Sequence, residues 1–290
     1  MKKSIVAFTV AALTFACGGG TGQRAVIQNK GSDTLVNVAQ AWAEAYATVD
    51  PGLAVAVTGG GSGTGISAMI NGTVDIANAS REMKESELEA ARANGIEPIL
   101  FVVGMDALAV YVHPDNPASE LTLAQLKSIY VDGGEFEVWS DLGSEVPGCS
   151  SGEIVRVSRQ NNSGTYAYFR EAVLDESDFK LGSRDMHGSK DVVDLVENTP
   201  CAIGYSGLAY ANEHVKMPCI MAEEGAPCVA PTVASAVDRT YPIARPLMMY
   251  TAGQPEGKVK EYMDWILSDV GQCIILEQGY APVRDVNCAE

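Results

Sequence analysis

The sequence predicts a two-lobed α/β protein whose chain passes twice between the lobes. Apolar runs with strand periodicity alternate with helical patterns along the chain, as in layered α/β architectures with parallel-type sheets. An extended stretch ending at Val112 runs into Pro114 and Pro117, and residues 238–251 are broken by Pro242 and Pro246; such punctuation between strong strands marks crossovers, here two of them forming a hinge. At 290 residues the chain is long enough for both lobes to bury a core.

In chain order, residues 25–29 form a strand, and Gly31, Ser32, Asp33 and Thr34 form the turn after it. A helix follows over residues 35–49, with Leu35, Val38, Ala39, Trp42 and Tyr46 on its buried face. Residues 53–57 form a second strand, and residues 59–65 form a glycine-rich loop. That loop opens a helix to about residue 71 in which Ile66, Met69 and Ile70 share a face. Residues 74–79 are a third strand ending in Ser80 and Arg81. The next helix spans about residues 85–93, with Ser86 and Glu89 spaced as a capping box.

Residues 97–103 and 107–112 are two extended pieces that meet at Asp106. The second lobe then carries a helix at 123–130 behind Thr122, an irregular loop through Cys149 and a strand at 154–158. Arg159, Ser163, Gly164 and Thr165 follow, leading into an aromatic helix at 166–173. A helix at 191–197 precedes a strand with a tight turn at 201–208. After the second crossover, helices at 258–267 and 270–278 complete the first lobe, and residues 279–283 pack back onto it. The lobe limits are residues 25–110 and 241–290 for lobe one and 111–240 for lobe two.

The loop of Gly59, Gly60, Gly61, Ser62, Gly63, Thr64 and Gly65 carries the first chemical signal. Feeding a helix N-terminus, it leaves backbone N–H groups without intrahelical partners at the positive end of the helix dipole, which suits an anion. A Walker-type loop needs Lys where Ile66 stands. A nucleophile elbow around Ser62 needs Gly where Thr64 stands. A loose dinucleotide pattern is met by Gly63, Gly65 and Ala68. A plain surface loop is the alternative. Strand ends at Gly31, Ser80 and Arg159 repeat the scheme, the last with a cation, and ligands in such folds sit in the crevice beyond the carboxyl ends of strands.

The formal charge of −17 and the absence of a basic stripe argue against nucleic acid as a partner. They do not exclude a small anion, because net charge is screened over about 8 Å at physiological salt, whereas N–H and Arg donors act at contact. Met1, Lys2 and Lys3, an apolar stretch through Ala16, and then Cys17 with three glycines read as a secretory signal (residues 1–16) and a tether (residues 17–24). Cys17 looks like a lipoprotein processing site, with Leu13 one place early for that pattern. Cys149, Cys201, Cys219, Cys228, Cys273 and Cys288 form an even set suited to disulfides in an exported protein. The connectivity stays open, with Cys219 and Cys228, and Cys273 and Cys288, as attractive short loops. Zinc-type CxxC pairs and His clusters are not found in the sequence.

Several of these motifs stand in a specific order: Gly31 to Thr34, residues 59–65, Asp75 to Arg81, Asp106 with Ala107, residues 121–126 with Ile129 and Tyr130, Arg159 with Ser163, Gly164 and Thr165, residues 202–205, and residues 279–283. In that order and spacing the chain resembles, from about residue 25 onward, the periplasmic phosphate-binding proteins of the high-affinity phosphate ABC transporter, in their shorter, lipoprotein-like branch. The resemblance implies a type II Venus-flytrap binding protein, monomeric and non-enzymatic, in the periplasm or at the cell surface. It would hold inorganic phosphate between its lobes, need no cofactor or metal, and deliver the ligand to a membrane permease.

Carried onto this chain, the resemblance implies donors at Ser32, Thr34, Ser62 and the Gly63 amide from lobe one, with Ser80 beside them. Arg159, Ser163, Gly164 and Thr165 close from lobe two. Longer members have an acidic residue where Arg81 stands; Asp106 or Asp33 is then the carboxylate that accepts the phosphate proton. An ionised Asp only accepts hydrogen bonds, so it favours hydrogen phosphate over fully deprotonated sulfate. Micromolar capture needs about −8 kcal/mol against an association cost of at least about 4 kcal/mol, which calls for roughly six or more donors. The plainer readings are that Arg81 and Arg159 are ion-pair partners, that Asp33 caps the first helix, and that Asp106 pairs with an arginine. Alternatives for the whole protein are a binder of molybdate, tungstate or sulfate, a secreted phosphoester hydrolase, against which His113, His187 and His214 lie far apart in sequence with none adjoining a candidate Ser or Cys, and a sensor or adhesion module that keeps the fold without the ligand.

Overall fold

The computed structural model of the chain describes residues 24–288; the expected secretory signal, the expected tether apart from Arg24, and with it Cys17 lie outside the described residues. Ten strands occur among them: β1 (Ala25–Gly31), β2 (Leu53–Thr58), β3 (Ile76–Ala79), β4 (Pro98–Val112), β5 (Glu120–Thr122), β6 (Val155–Arg159), β7 (Arg184–Met186), β8 (Ala202–Gly207), β9 (Cys219–Met221) and β10 (Ala244–Ala252). Eight join in the order β2-β1-β3-β10-β4-β8-β6-β7, and β5 pairs with β9 apart from them.

The molecule is a two-lobed α/β fold in which β4 belongs to both halves. Its first ten residues run beside β10, from Pro98 opposite Ala252 to Ala107 opposite Ala244, with a register shift at Val103. From Leu108, opposite Gly207, it pairs with β8. One edge of the strand serves β10 and the other serves β8, so a continuous strand, apolar except for Asp106, is enough for the transfer. The two extended pieces expected around Asp106 are accordingly one strand, and its change of partner comes ahead of the proline segment. β10 enters from lobe two after Tyr241 and Ile243 and supplies the second crossing. It runs antiparallel to β3 and β4, because a strand that returns must oppose the one that left.

Helices cover both faces of the lobe-one sheet, as parallel strands require. On one face Val38 and Trp42, from the helix Val36–Val49, meet Ile27, Val103, Tyr262 and Ile275. On the other, Ile66 and Met69 of the helix Ser62–Ile70 meet Ala77, Met248 and Tyr250. In lobe two, Tyr130, Phe169 and Tyr205 anchor the larger core, with the last two rings stacked at 3.8 Å between centroids. The helix Glu85–Ala93 matches its expected span, but its N-cap is Lys84: the Glu87 carboxylate accepts the Lys84 N–H at 2.9 Å, in place of the Ser86 and Glu89 box.

Three disulfides pair Cys149 with Cys201, Cys219 with Cys228, and Cys273 with Cys288. The last two are the short loops that the spacing favoured. No helix among the described residues is long and apolar enough to cross a membrane.

Candidate functional site

Strand direction decides where the polar turns go. β1 is parallel to both β2 and β3, so the carboxyl ends of all three lie along one edge of the lobe-one sheet. β8 opposes β4, and β6 is parallel to β8, so their carboxyl ends point back at that edge from lobe two. The turns at residues 31–34, 59–65, 80–81 and 159–165 therefore converge on one place.

Their side chains are interlocked. The Ser32 hydroxyl donates to Ser80 Oγ at 2.9 Å, the Ser80 N–H donates to Ser62 Oγ at 3.1 Å, and the Ser62 and Ser80 oxygens lie 3.4 Å apart. Thr34 Oγ1, from lobe one, is 3.0 Å from Thr165 Oγ1 of lobe two. The helix Gly164–Ala172 starts two residues before its expected start, with Ser163 as N-cap accepting the Thr165 N–H at 3.1 Å. Gly164 is thus the first helical residue, and a Cβ placed on it would sit 2.2 Å from Ser62 Oγ and 2.5 Å from Ser80 Oγ. Only a bare α-carbon allows that approach.

The glycine loop meets lobe two as well. Gly61, the N-cap of the helix Ser62–Ile70, has φ 88°, a conformation that side chains disfavour. A Cβ there would stand 2.7 Å from the Asn162 carbonyl oxygen. The Gly63 N–H donates to that carbonyl at 3.0 Å, and Asn162 Nδ2 donates to the Gly60 carbonyl at 3.0 Å.

Arg159, at the end of β6, is 1% exposed. Its Nη2 donates to Asp33 Oδ2 at 3.1 Å across the lobes and to the His187 carbonyl at 2.7 Å, and Nη1 donates to Ser189 Oγ at 3.0 Å. Its buried Nε has no hydrogen-bond partner among the described residues. Burial pulls its pKa down and Asp33 opposes that, yet a guanidinium stays charged. Asp33 does not cap its own turn: its Oδ1 accepts the Gly60 N–H at 2.9 Å, which ties the β1 turn to the glycine loop. The Tyr210 hydroxyl holds the Asp33 carbonyl at 2.6 Å.

Two of the expected residues stand apart from the hydroxyl cluster. The Arg81 guanidinium makes a two-pronged pair with Glu87, both contacts at 2.7 Å, and lines a surface groove of about 610 Å³ with Lys84, Asn161, Tyr166 and Arg170. Because Lys84 is the N-cap, Glu87 is the third residue of the helix and faces back toward Arg81. Asp106 is fully buried and bound to Arg245, whose Nη2 and Nε reach its Oδ2 at 2.9 and 3.1 Å; its Oδ1 accepts the Leu208 N–H at 3.2 Å. Burial raises the pKa of the Asp106 carboxyl and Arg245 opposes the shift. Both arrangements are the ion-pair alternatives that the sequence left open.

Arg245 itself, with Asn162, escaped the sequence reading. A single charge inside the apolar crossing strand, between Ala244 and Pro246, was the available sign.

A family model described as "PBP superfamily domain" matches residues 18–270. The phosphate-binding protein PstS of Pseudomonas aeruginosa is 34% identical over 269 residues, which cover 89% of this chain and 83% of that protein. A phosphate ABC transporter substrate-binding protein from Clostridium perfringens, solved with bound phosphate, superposes with a TM-score of 0.78 at 28% identity, covering 89% of this chain and 100% of the other. An ABC-type phosphate transport receptor from Vibrio cholerae gives 0.69 at 28% identity, covering 88% and 99%. These likenesses extend over nearly the whole described fold, crossing strands and converging turns included, and the chain belongs to the PstS-like phosphate-binding proteins of the periplasmic-binding-protein superfamily.

Proposed function

We propose that this chain captures inorganic phosphate between its lobes and delivers it to an ABC-type phosphate importer. The observation that carries the reading is the interdigitation at Gly164: a lobe-two helix start lies against the Ser62 and Ser80 hydroxyls of lobe one. Ser32, Thr34, Ser62, Ser80, Ser163 and Thr165 supply six hydroxyls, all buried, within the range a micromolar site requires. The orphaned Nε of Arg159 is a buried charged donor with capacity for an anionic oxygen.

We assign Ser32, Thr34, Ser62, Ser80, Arg159, Ser163 and Thr165 as donors, together with the amide of Gly164; the Gly63 amide, expected as a donor, is instead committed to the Asn162 carbonyl. Asp33 is the carboxylate that tests for a ligand proton. Each carboxylate has a partner on both oxygens, but Asp106 suits that role less: its Oδ2 takes two bonds from Arg245 and its side chain is wholly buried, whereas Asp33 Oδ2 takes one bond from Arg159 and its side chain is 12% exposed. Arg81 and its groove serve the rim. The chain acts by binding, without turnover. In support, the ring nitrogens of His113, His187 and His214 face Asp115, Gln160 and Glu213, none of which is a nucleophile poised for activation.

The test is calorimetric titration with phosphate and with sulfate. One phosphate per chain and sulfate at least about 100-fold weaker are expected, since rejecting a ligand that lacks the required proton leaves a buried carboxylate unpaired. Equal binding of the two removes the phosphate assignment, and measurable release from a chromogenic phosphoester removes the non-enzymatic one. We further assign residues 25–110 with 241–290, and residues 111–240, as the moving bodies. The mature chain is an exported monomer anchored through a lipid on Cys17; a mature N-terminus of unmodified mass would remove the anchor.

A further inference from the structure

Arg245 and Asp106 face each other in register on the two crossing strands, and neither side chain is exposed. The contacts of this pair reach both lobes. Arg245 Nη2 lies 3.2 Å from Thr34 Oγ1 of lobe one and 3.0 Å from Thr165 Oγ1 of lobe two, as well as 2.9 Å from Asp106. Its guanidinium carbon stands 5.6 Å from the centroid of the Tyr168 ring, and the Tyr168 hydroxyl donates to the Ala244 carbonyl at 2.6 Å.

An Nη2 group has two hydrogens and here three acceptors. With one hydrogen on Asp106, the other is shared by the two threonine oxygens. A guanidinium has no lone pair to offer, so neither hydroxyl can donate to it. Of the two hydroxyl protons, one fits between the oxygens 3.0 Å apart, and the other must point elsewhere. Asp106 neutralises Arg245, so the pair acts on an anion chiefly by orientation rather than by charge.

We propose that Arg245 is a positioning residue: its shared hydrogen occupies the Thr34 and Thr165 oxygens, so that the one hydroxyl proton not held between them points toward the bound anion, and it ties the two lobes in one register. This rests on the phosphate-binding reading above.

The experiment is titration of the full mature chain with inorganic phosphate, using wild type, Arg245→Lys, Thr165→Val and the double variant, with melting temperatures alongside. A lysine keeps the charge for Asp106 but cannot fork to both threonines. Each single variant is expected to weaken binding about tenfold or more, and the double variant less than the product of the two losses, because they share one interaction. Arg245→Lys within about twofold of wild type, or losses that multiply, would overturn the inference. A purely structural role lowers the melting temperature without that coupling. If Arg245→Lys does not fold, Thr34→Val and Thr165→Val, singly and together, decide the same point: sharing predicts less than the product, and independent losses refute it. Absence of phosphate binding by wild type removes the parent reading and this inference together, whereas a wild type that binds with uncoupled variants removes this inference alone.

Discussion

Gly164→Ala should weaken phosphate binding while leaving the unliganded fold intact. The residue takes no left-handed conformation and opens a helix, so alanine is locally acceptable and, by propensity, adds up to about 1 kcal/mol to lobe two. The cost arises only on closure. The new methyl carbon would stand 2.2 Å from Ser62 Oγ, so the lobes must stay apart by about 1 Å to restore ordinary contact. Overpacking of this kind costs about 1–3 kcal/mol. A gap of that size also stretches the 3.0 Å contacts from Thr165 to Thr34 and to Arg245 past bonding range, for roughly another 1 kcal/mol. A total near 2–4 kcal/mol corresponds to about 30- to 700-fold weaker binding. Titration gives the affinity, and small-angle scattering with saturating phosphate shows whether the variant still compacts. Affinity within threefold of wild type, with normal compaction, would refute the claim that the lobes meet through this residue.

Arg159→Ala should lose at least about 100-fold in phosphate affinity, since it removes a buried cation and leaves Asp33 without its partner; titration is the check. Asp33→Asn should narrow the preference for phosphate over sulfate by about tenfold or more, read from paired titrations of the same preparation. Burial alone would raise the pKa of Glu87, but Arg81 and the Lys84 N–H hold it below the ordinary carboxylate value. The stability it contributes is therefore full above the unfolded value and is lost as pH falls through the lower folded one. Glu87→Gln should then melt roughly 2–4 °C below wild type at pH 7, for a pair contributing about 1 kcal/mol, with the two curves converging toward pH 3. Replacing Cys273 and Cys288 with serine opens a loop spanning a separation of 15 residues and should cost about 3 kcal/mol in denaturant unfolding, provided unfolding is two-state.

Local pattern carried most of the fold. Turns at Ser32, Ser62, Ser80 and Ser163 were legible because each stands where an alternating run gives way to small polar residues and a helix. Parallel strand order then brings such turns together, so the cluster could be expected before its distances were known. What escaped was decided by register between segments far apart in sequence. Asp106 and Arg245 are each one charge in an apolar strand, and only the ladder between β4 and β10 shows that they are opposite. The partner change in β4 leaves no mark because nothing in the chain has to bend. At the helix after β3, the capping pattern pointed to Ser86 because lysine has no acceptor to cap with; the backbone of Lys84 is instead served by Glu87. Cys149 and Cys201 are 52 residues apart, beyond what spacing can assign.

β4 runs beside β10 over its first ten residues and pairs with β8 over its last five. Neither half of the molecule can therefore be excised whole: a cut on either side of Ala107 strips an inner ribbon from one sheet and bares the edge of its neighbour. Fragments made that way should be sticky and poorly soluble, and grafting one half onto a foreign partner would have to carry this ribbon along. The architecture is best inherited, or engineered, as a single indivisible piece.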